Sequence, residues 1–236
     1  MGDGEERFGT WLADALRRLL GESCLGCGER PAKSGLCAGC RAALPRLPES
    51  VCAVCAEPVF GADRCGACVT HPPAFVRTVA ARVYTFPLDA WIRALKYRGH
   101  LPAARALAGL LADALRFAAL PDLLIPMPLS PARQRERGFN QALEIARQLP
   151  PHLAGPLDTR VLLRARDTEA QAALSIEDRR RNVKGAFRAV RTLSGARVAL
   201  LDDVMTTGAT ADAAASALRE AGAAEVSVWV VARALR

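Results

Sequence analysis

Arg197-Val-Ala-Leu-Leu-Asp-Asp-Val-Met-Thr-Thr-Gly-Ala-Thr210 is the stretch on which the fold turns. Its opening, Arg197 to Leu201, is short and apolar and predicts a buried strand that ends in Asp202. An alanine-rich run from about Ala211 to Ala221 predicts a helix directly after it. A strand that passes into a helix through Thr206-Thr-Gly-Ala-Thr210 builds an anion cradle. Gly208 and its small neighbours let backbone N–H groups turn toward one point, and three threonine hydroxyls add donors at the helix N-terminus. The helix dipole contributes only about 0.3–1 kcal/mol, so hydrogen bonds must carry most of the affinity. An ordinary N-capped helix would account for one threonine but not for the acidic pair Asp202-Asp203. Two adjacent carboxylates repel a phosphate unless something cationic or polyhydroxylated lies between. A sugar phosphate with vicinal hydroxyls, accompanied by magnesium, meets both demands.

Working outward, the chain beyond residue 75 alternates strand and helix. Val76 to Phe86 predicts a strand, Leu88 to Tyr97 and Ala103 to Ala119 helices, Leu123 to Met127 a strand, Asn140 to Leu149 a helix, and Val226 to Ala232 a last strand. Short apolar strands alternating with helices predict an α/β fold, a mostly parallel sheet flanked by helices on both faces. Ligands in such sheets sit at the carboxyl ends of the strands. Ile125-Pro-Met-Pro-Leu129 ends one strand and opens a loop toward that crevice, followed by Arg133, Arg135 and Arg137-Gly-Phe-Asn-Gln141. Those arginines suit a pyrophosphate, and equally a solvated helix face. Between Arg164 and Phe187 lies a polar stretch, then Ser175-Ile-Glu-Asp178, a capping-box start for a helix carrying Arg179, Arg180, Arg181 and Lys184. A mobile basic lid that excludes water would have this character, as would a surface helix.

All eight cysteines lie between Cys24 and Cys68, in four C-x-x-C pairs: Cys24/Cys27, Cys37/Cys40, Cys52/Cys55 and Cys65/Cys68. Nine residues separate the pairs within each half, and Glu29 and Glu57 occupy equivalent places, so the segment is an internal repeat. Two C-x-x-C turns supply four thiolates, a closed structural zinc site. Sequential pairing gives one zinc on Cys24, Cys27, Cys37 and Cys40 and another on Cys52, Cys55, Cys65 and Cys68. The rival is interleaved pairing; the equal short gaps favour the sequential scheme. A segment this small, with few large apolar side chains, needs its metals to fold. A redox role does not require four such pairs at repeated spacing. His71 is a spare ligand or a loop residue.

Of 236 residues, 51% are hydrophobic, enough for a real core and against intrinsic disorder. The net charge is +8, and only Lys33, Lys96 and Lys184 among the 32 basic residues are lysines. Arginine favours bidentate phosphate contacts, although a compositional bias explains the excess equally well. Residues 1–75 hold 8 basic and 9 acidic side chains, whereas 76–236 hold 24 and 15. Eight thiolates and two zinc ions would take the front segment from −1 to about −5, which discourages nucleic-acid binding there and favours a structural or protein-docking role. The longest uncharged run, Cys65 to Val76, has twelve residues, short of the roughly 20 that span a bilayer, so no transmembrane segment is expected. The acidic N-terminus shows no secretory signal, which predicts a cytoplasmic protein with reduced cysteines. Phe8, Trp11, Leu12, Ala15, Leu16, Leu19 and Leu20 fall on one helical face ahead of Gly21, an amphipathic helix for packing on this chain or on a partner. The expected organisation is therefore a helix at 1–22, a cysteine-rich double zinc ribbon at 23–75 and the α/β domain at 76–236.

Leu200-Leu-Asp-Asp-Val-Met-Thr-Thr-Gly-Ala-Thr210 resembles the phosphoribosyl pyrophosphate (PRPP) motif of type I phosphoribosyltransferases. The resemblance implies 5-phosphate binding by Thr206, Thr207, Gly208, Ala209 and Thr210, and ribose contact by Asp202 and Asp203, the catalytic pair. It puts the pyrophosphate loop at Pro126, Met127, Pro128, Leu129 and Ser130. With the cysteine pairs, Leu95-Lys-Tyr-Arg-Gly99, Arg137-Gly-Phe-Asn-Gln141, and Gln171 with Arg179 and Asn182, the chain after residue 20 resembles the ComF proteins. Those join a cysteine-rich ribbon to a phosphoribosyltransferase domain and are linked to DNA uptake in natural transformation. The resemblance implies Mg-PRPP as ligand, Arg137, Gln171, Arg179 and Asn182 as lid or substrate contacts, and transfer of phosphoribose to an acceptor that the sequence does not name. It also implies a competence-machinery partner docked through the ribbon or the N-terminal helix. The rival is a non-catalytic protein that binds single-stranded DNA. Against it, aromatic stacking platforms are few beyond Tyr97 and Phe139.

Overall fold

Four strands lie parallel in the order β1-β6-β5-β2, where β1 is Arg77–Val83, β2 Leu123–Pro126, β5 Arg197–Met205 and β6 Glu225–Arg233. The computed structural model describes residues 23–29, 32, 34–165 and 185–235. Packing divides the chain into two compact units, Met1–Leu44 and Pro45–Arg236. The second four-cysteine cluster thus belongs to the unit that holds the sheet. The amphipathic helix expected at 1–22 and the lid residues Gln171, Arg179 and Asn182 lie outside the described residues.

In the first unit, α1 (Ala38–Ala43) starts at Cys37. In the second, α2 (Gly66–Thr70) starts at Cys65. The sequence repeat is a repeat of backbone hydrogen bonds. Cys24 N–H donates to Glu29 O and Cys52 N–H to Glu57 O, both at 2.7 Å; Leu25 N–H donates to Gly35 O and Ala53 N–H to Asp63 O, both at 2.9 Å. The left-handed residue after each knuckle is Gly28 in one copy (φ +78°) and Ala56 in the other (φ +55°).

Beyond the ribbon, α3 (Leu88–Arg98) and α4 (Pro102–Ala114) connect β1 to β2, and α5 (Pro131–Arg137), α6 (Gln141–Arg147) and the short α7 (Pro151–Ala154) follow β2. An antiparallel pair, β3 (Leu162–Arg164) with β4 (Phe187–Ala189), precedes β5, and α8 (Ala209–Glu220) links β5 to β6. α4 packs on β1 and β6 and α6 on β5 and β2, while α8 packs on β5, β6 and the β3–β4 pair. β6 reads Val226-Ser-Val-Trp-Val-Val231 with Val226, Val228, Trp229, Val230 and Val231 all buried, the near-continuous apolar run of a strand covered on both faces. α8 buries Ala211, Ala214, Ala215 and Leu218 at helical spacing, and its small side chains let it lie close to the sheet.

The expected α/β class, a parallel sheet flanked by helices with cysteine-rich modules before it, is the class found. Two details differ from the sequence expectation. β5 does not end at Leu201 but runs to Met205, because Asp202, Val204 and Met205 pair with Val230, Ala232 and Arg233 of β6. The helix expected from Ala103 to Ala119 gives way at Ala114 to a 3-10 turn, Leu115–Phe117.

Candidate functional site

The carboxyl ends of β5 and β2 open on a cleft of about 460 Å³ that also reaches Val228 and Val230 of β6. Its lining includes Lys96, Met127, Pro128, Leu129, Arg133, Gln141, Arg164, the acidic pair and the whole of Thr206–Thr210. Strand order explains the convergence. β5 is paired on both sides, with Met127 N–H on Leu201 O at 2.7 Å on one edge and Met205 opposite Arg233 on the other. The Thr206–Thr210 loop and the Met127–Leu129 segment therefore leave neighbouring strands at the same end.

Successive strand residues face opposite sides of a sheet, and this separates the two aspartates. Asp203 is 2% exposed and turns toward α3 and α6. Gln141 Nε2 donates to its Oδ1 at 3.0 Å, and Lys96 Nζ forms an ion pair with its Oδ2. Arg137 donates to Gln141 Oε1 in turn, and its guanidinium lies 5.5 Å from the Tyr97 ring centre. Asn140 caps α6 through Ala142 N–H at 2.9 Å and donates to Met127 O at 3.0 Å, so one residue starts that helix and fixes the loop after β2. Asp202 is half-buried and accepts from Asp203 N–H at 2.9 Å.

The electrostatics follow from that geometry. Burial pushes the Asp203 carboxyl up, but the Lys96 ammonium and the Gln141 amide outweigh it and hold it below the ordinary carboxylate range. Burial raises Asp202 well above that range, and the charge of Asp203 adds to it. Burial lowers Lys96, and the two aspartates more than restore it, leaving it raised. The site therefore holds a lowered Asp203 locked to Lys96 beside a raised Asp202.

At the loop, Gly208 takes a left-handed conformation (φ +82°) at the N-cap of α8, a geometry that strains any residue with a Cβ. Thr207 Oγ1 accepts from Ala209 N–H at 3.3 Å. Of the pyrophosphate residues expected from the sequence, Met127, Pro128 and Leu129 line the cleft. Pro126 belongs to β2, and Ser130, 1% exposed, caps α5 by accepting from Arg133 N–H. Arg137 acts through Gln141 and Tyr97 and is not in the lining. Lys96 and Gln141 are the functional residues that sequence reasoning left without a role; the signal was there in Leu95–Gly99 and Arg137–Gln141, two motifs that meet at Asp203. Arg164, stacked 5.3 Å from the Phe187 ring centre, lines the cleft from β3 and was likewise missed.

Sulfur positions test the metal sites. The thiols of Cys24, Cys27, Cys37 and Cys40 lie within 4.8 Å of one another, as do those of Cys52, Cys55, Cys65 and Cys68. Sequential pairing is thus the arrangement found. Zinc with bonds of about 2.3 Å in a tetrahedron sets its sulfurs about 3.8 Å apart; Cys27 and Cys37 stand at 3.9 Å and Cys55 and Cys65 at 3.6 Å. Both clusters fit structural zinc. Burial raises Cys24, yet N–H groups of Cys37, Cys27 and Gly26 outweigh it and bring the thiol down to about 6. Cys52 reaches about 6 in the same way, through Cys55, Cys65 and Val54. Contacts with Cys37 and Cys24 push Cys40 up to about 12, and burial and Cys55 raise Cys68.

Residues 15–69 match the double zinc ribbon domain family. Over 213 residues the chain is 37% identical to competence protein F of Haemophilus influenzae, covering 86% of this chain and 92% of that one. The chain belongs to the competence protein F family. Within this family, the DNA utilization protein YhgH of Salmonella typhimurium is 36% identical over 85% of this chain and 91% of its own. Competence protein ComFC of Bacillus subtilis is 28% identical over 84% of each. Among solved structures, a purine phosphoribosyltransferase from Pyrococcus horikoshii aligns at 17% identity over 67% of this chain and 91% of its own, with a TM-score of 0.31.

Proposed function

We propose that this member of the competence protein F family binds PRPP with magnesium in the β5–β6–β2 cleft and acts in the cytoplasm as a phosphoribosyltransferase-like protein in DNA uptake. The competence and DNA-utilization names of its relatives support the biological setting. The observation that carries the chemistry is the convergence of Asp202, the Thr206–Thr210 loop, the Met127–Leu129 segment and Arg133 on one cleft. The loop amides and hydroxyls suit the 5-phosphate, and Asp202 suits the ribose hydroxyls. Asp203 serves as the charged post that Lys96 and Gln141 hold in place. When bound, magnesium supplies charge neutralisation for the pyrophosphate. In transfer chemistry the C1–O bond breaks ahead of nucleophile attack, and Arg133 would stabilise the leaving pyrophosphate electrostatically. The acceptor is a nucleophile that enters beside the ribose.

Calorimetry of Mg-PRPP tests the assignment. Asp202→Asn, at a half-buried position, is expected to weaken binding at least about tenfold, the loss of hydrogen bonds to a charged acceptor. Wild-type affinity in Asp202→Asn and in Asp203→Asn would remove the ribose site from this cleft. A pyrophosphate-release screen with candidate bases and nucleic acids then identifies the acceptor.

A further inference from the structure

β6 ends on Arg233, a fully charged side chain that is 1% exposed. Its guanidinium is surrounded by acceptors from two parts of the second unit. Nε donates to the carbonyl of Cys55 at 2.8 Å, and Nη2 pairs with Glu57 Oε2 at 2.5 Å. Nη1 donates to the carbonyls of Thr206 at 2.5 Å and Met205 at 3.3 Å, and to that of Ala234. Cys55 is a ligand of the second four-cysteine site, and Thr206 opens the phosphate loop. In a trans peptide the C=O and the following N–H point in opposite directions. Anchoring Thr206 O on Arg233 therefore turns the Thr207 N–H away from the guanidinium and sets the direction of a loop donor.

Two more ties join the same parts. Ala74 N–H, on the segment that leaves the metal site, donates to Asp212 Oδ1 in the first turn of α8 at 2.7 Å. The Phe75 ring, 3% exposed, comes within 3.8 Å of where a Cβ at Gly208 would stand. Four sulfurs held on one ion make the Cys55 carbonyl a fixed post. Without the ion, that post loses the constraint of four sulfurs on one centre and keeps only the weaker hydrogen bonds of the knuckle and of Arg233.

We propose that Arg233 is a positioning residue that holds the phosphate loop in its binding geometry against the Cys52–Cys55–Cys65–Cys68 knuckle, so that metal occupancy of this site and affinity for a phosphate group are coupled. Coupling of this kind is reciprocal: metal tightens ligand binding by the same factor as ligand tightens metal binding. The coupling rests on the PRPP reading above only for the identity of the ligand.

Hydrogen exchange on the full zinc-loaded chain, followed in a peptide spanning Met205–Asp212, tests it without any ligand. Zinc removal from the wild type, Arg233→Lys and Glu57→Gln are each expected to speed exchange there by about tenfold, the worth of one hydrogen bond to a charged group, with β2 still protected. Chelation should add little in Arg233→Lys, because the link is already cut. Exchange unchanged by chelation of the wild type overturns the proposal, and so does full additivity of chelation with Arg233→Lys. If Arg233→Lys does not fold, Glu57→Gln and the wild type decide between the same outcomes. Mg-PRPP calorimetry on these proteins separates the two readings. No binding to zinc-loaded wild type overturns the PRPP assignment while the exchange result still decides the coupling; binding to wild type that is undiminished in both variants overturns the coupling alone.

Discussion

Burial raises both carboxyls of the acidic pair, and what separates them is the Lys96 ammonium against Asp203. The pH signs are therefore opposite. Asp203, lowered in the fold, contributes stability that is present above the ordinary carboxylate value and is lost as pH falls through the lowered one. Asp202, raised, contributes fully only below the ordinary value, and that contribution is lost as pH rises through the raised one. Lys96→Met leaves Asp203 buried without its counterion. A cost of about 3 kcal/mol is expected at pH 7, the low end for breaking a buried pair because Lys96 is partly open to the cleft. Without its cation Asp203 becomes a raised group as well, so the deficit should narrow from pH 7 to pH 5 as it takes up a proton. Urea unfolding at both pH values measures this, and an equal deficit at both would show that Lys96 does not compensate Asp203. The acidic pair and the threonine loop were legible because their chemistry is contiguous in sequence. The partnership of Gln141 with Asp203, 62 residues apart, leaves no local pattern and depends on which strands become neighbours.

Elements were legible where periodicity and length agreed. β6 and α8 came through, since a continuous apolar run and an alanine-rich helix are hard to read otherwise. β5 was cut short because two adjacent aspartates look like the start of a loop; pairing with β6 overrides that local preference and carries the strand on to Met205. The Pro131–Arg137 helix was legible only as one of two readings of Arg133, Arg135 and Arg137, a solvated helix face; Ser130 caps it and Pro131 stands in its first turn. The ribbons were the most legible of all, as ligand spacing fixes them directly. Their thiols make a further prediction. Cys24 and Cys52, brought to about 6, are thiolates at neutral pH before metal arrives, whereas Cys40, near 12, must give up a proton on binding, as must the raised Cys68. Metal uptake therefore releases protons, and affinity should fall at least about tenfold for each pH unit lost. Atomic emission should find two zinc ions per chain, and competition with a chromogenic chelator from pH 8 to 6 should give that slope. A single zinc would contradict the two-site arrangement, and an affinity indifferent to pH would contradict the raised Cys40 and Cys68 thiols.

Across the whole molecule, composition changes near residue 75, while packing changes at Leu44, because cysteine content records ligand chemistry and packing records contacts. The net charge of +8 shows a similar gap between composition and structure. Several arginines that suggested a polyanionic partner are paired within the chain, Arg233 in its interior and four others on its surface. Arg233 holds Glu57, Arg197 holds Asp122, Arg191 holds Asp158, Arg147 holds Glu144 and Arg93 holds Asp89. Arg219 donates to the carbonyls of Ala223 and Ala224 in the connection after its helix, and Arg164 stacks on Phe187. Positive charge that is paired in this way releases few counterions when DNA approaches. The basic run Arg179, Arg180, Arg181 and Lys184, outside the described residues, offers four contacts. At about 0.7 per neutralised phosphate of a single strand, these set a log–log salt slope near −3. Single-stranded oligonucleotide binding measured between 50 and 200 mM salt should be no steeper than this, and Arg179→Glu/Arg180→Glu/Arg181→Glu should abolish most of the dependence. Mg-PRPP should not compete with the oligonucleotide. A much steeper slope that survives the triple substitution, together with competition by Mg-PRPP, would place DNA in the cleft itself and displace PRPP as its ligand.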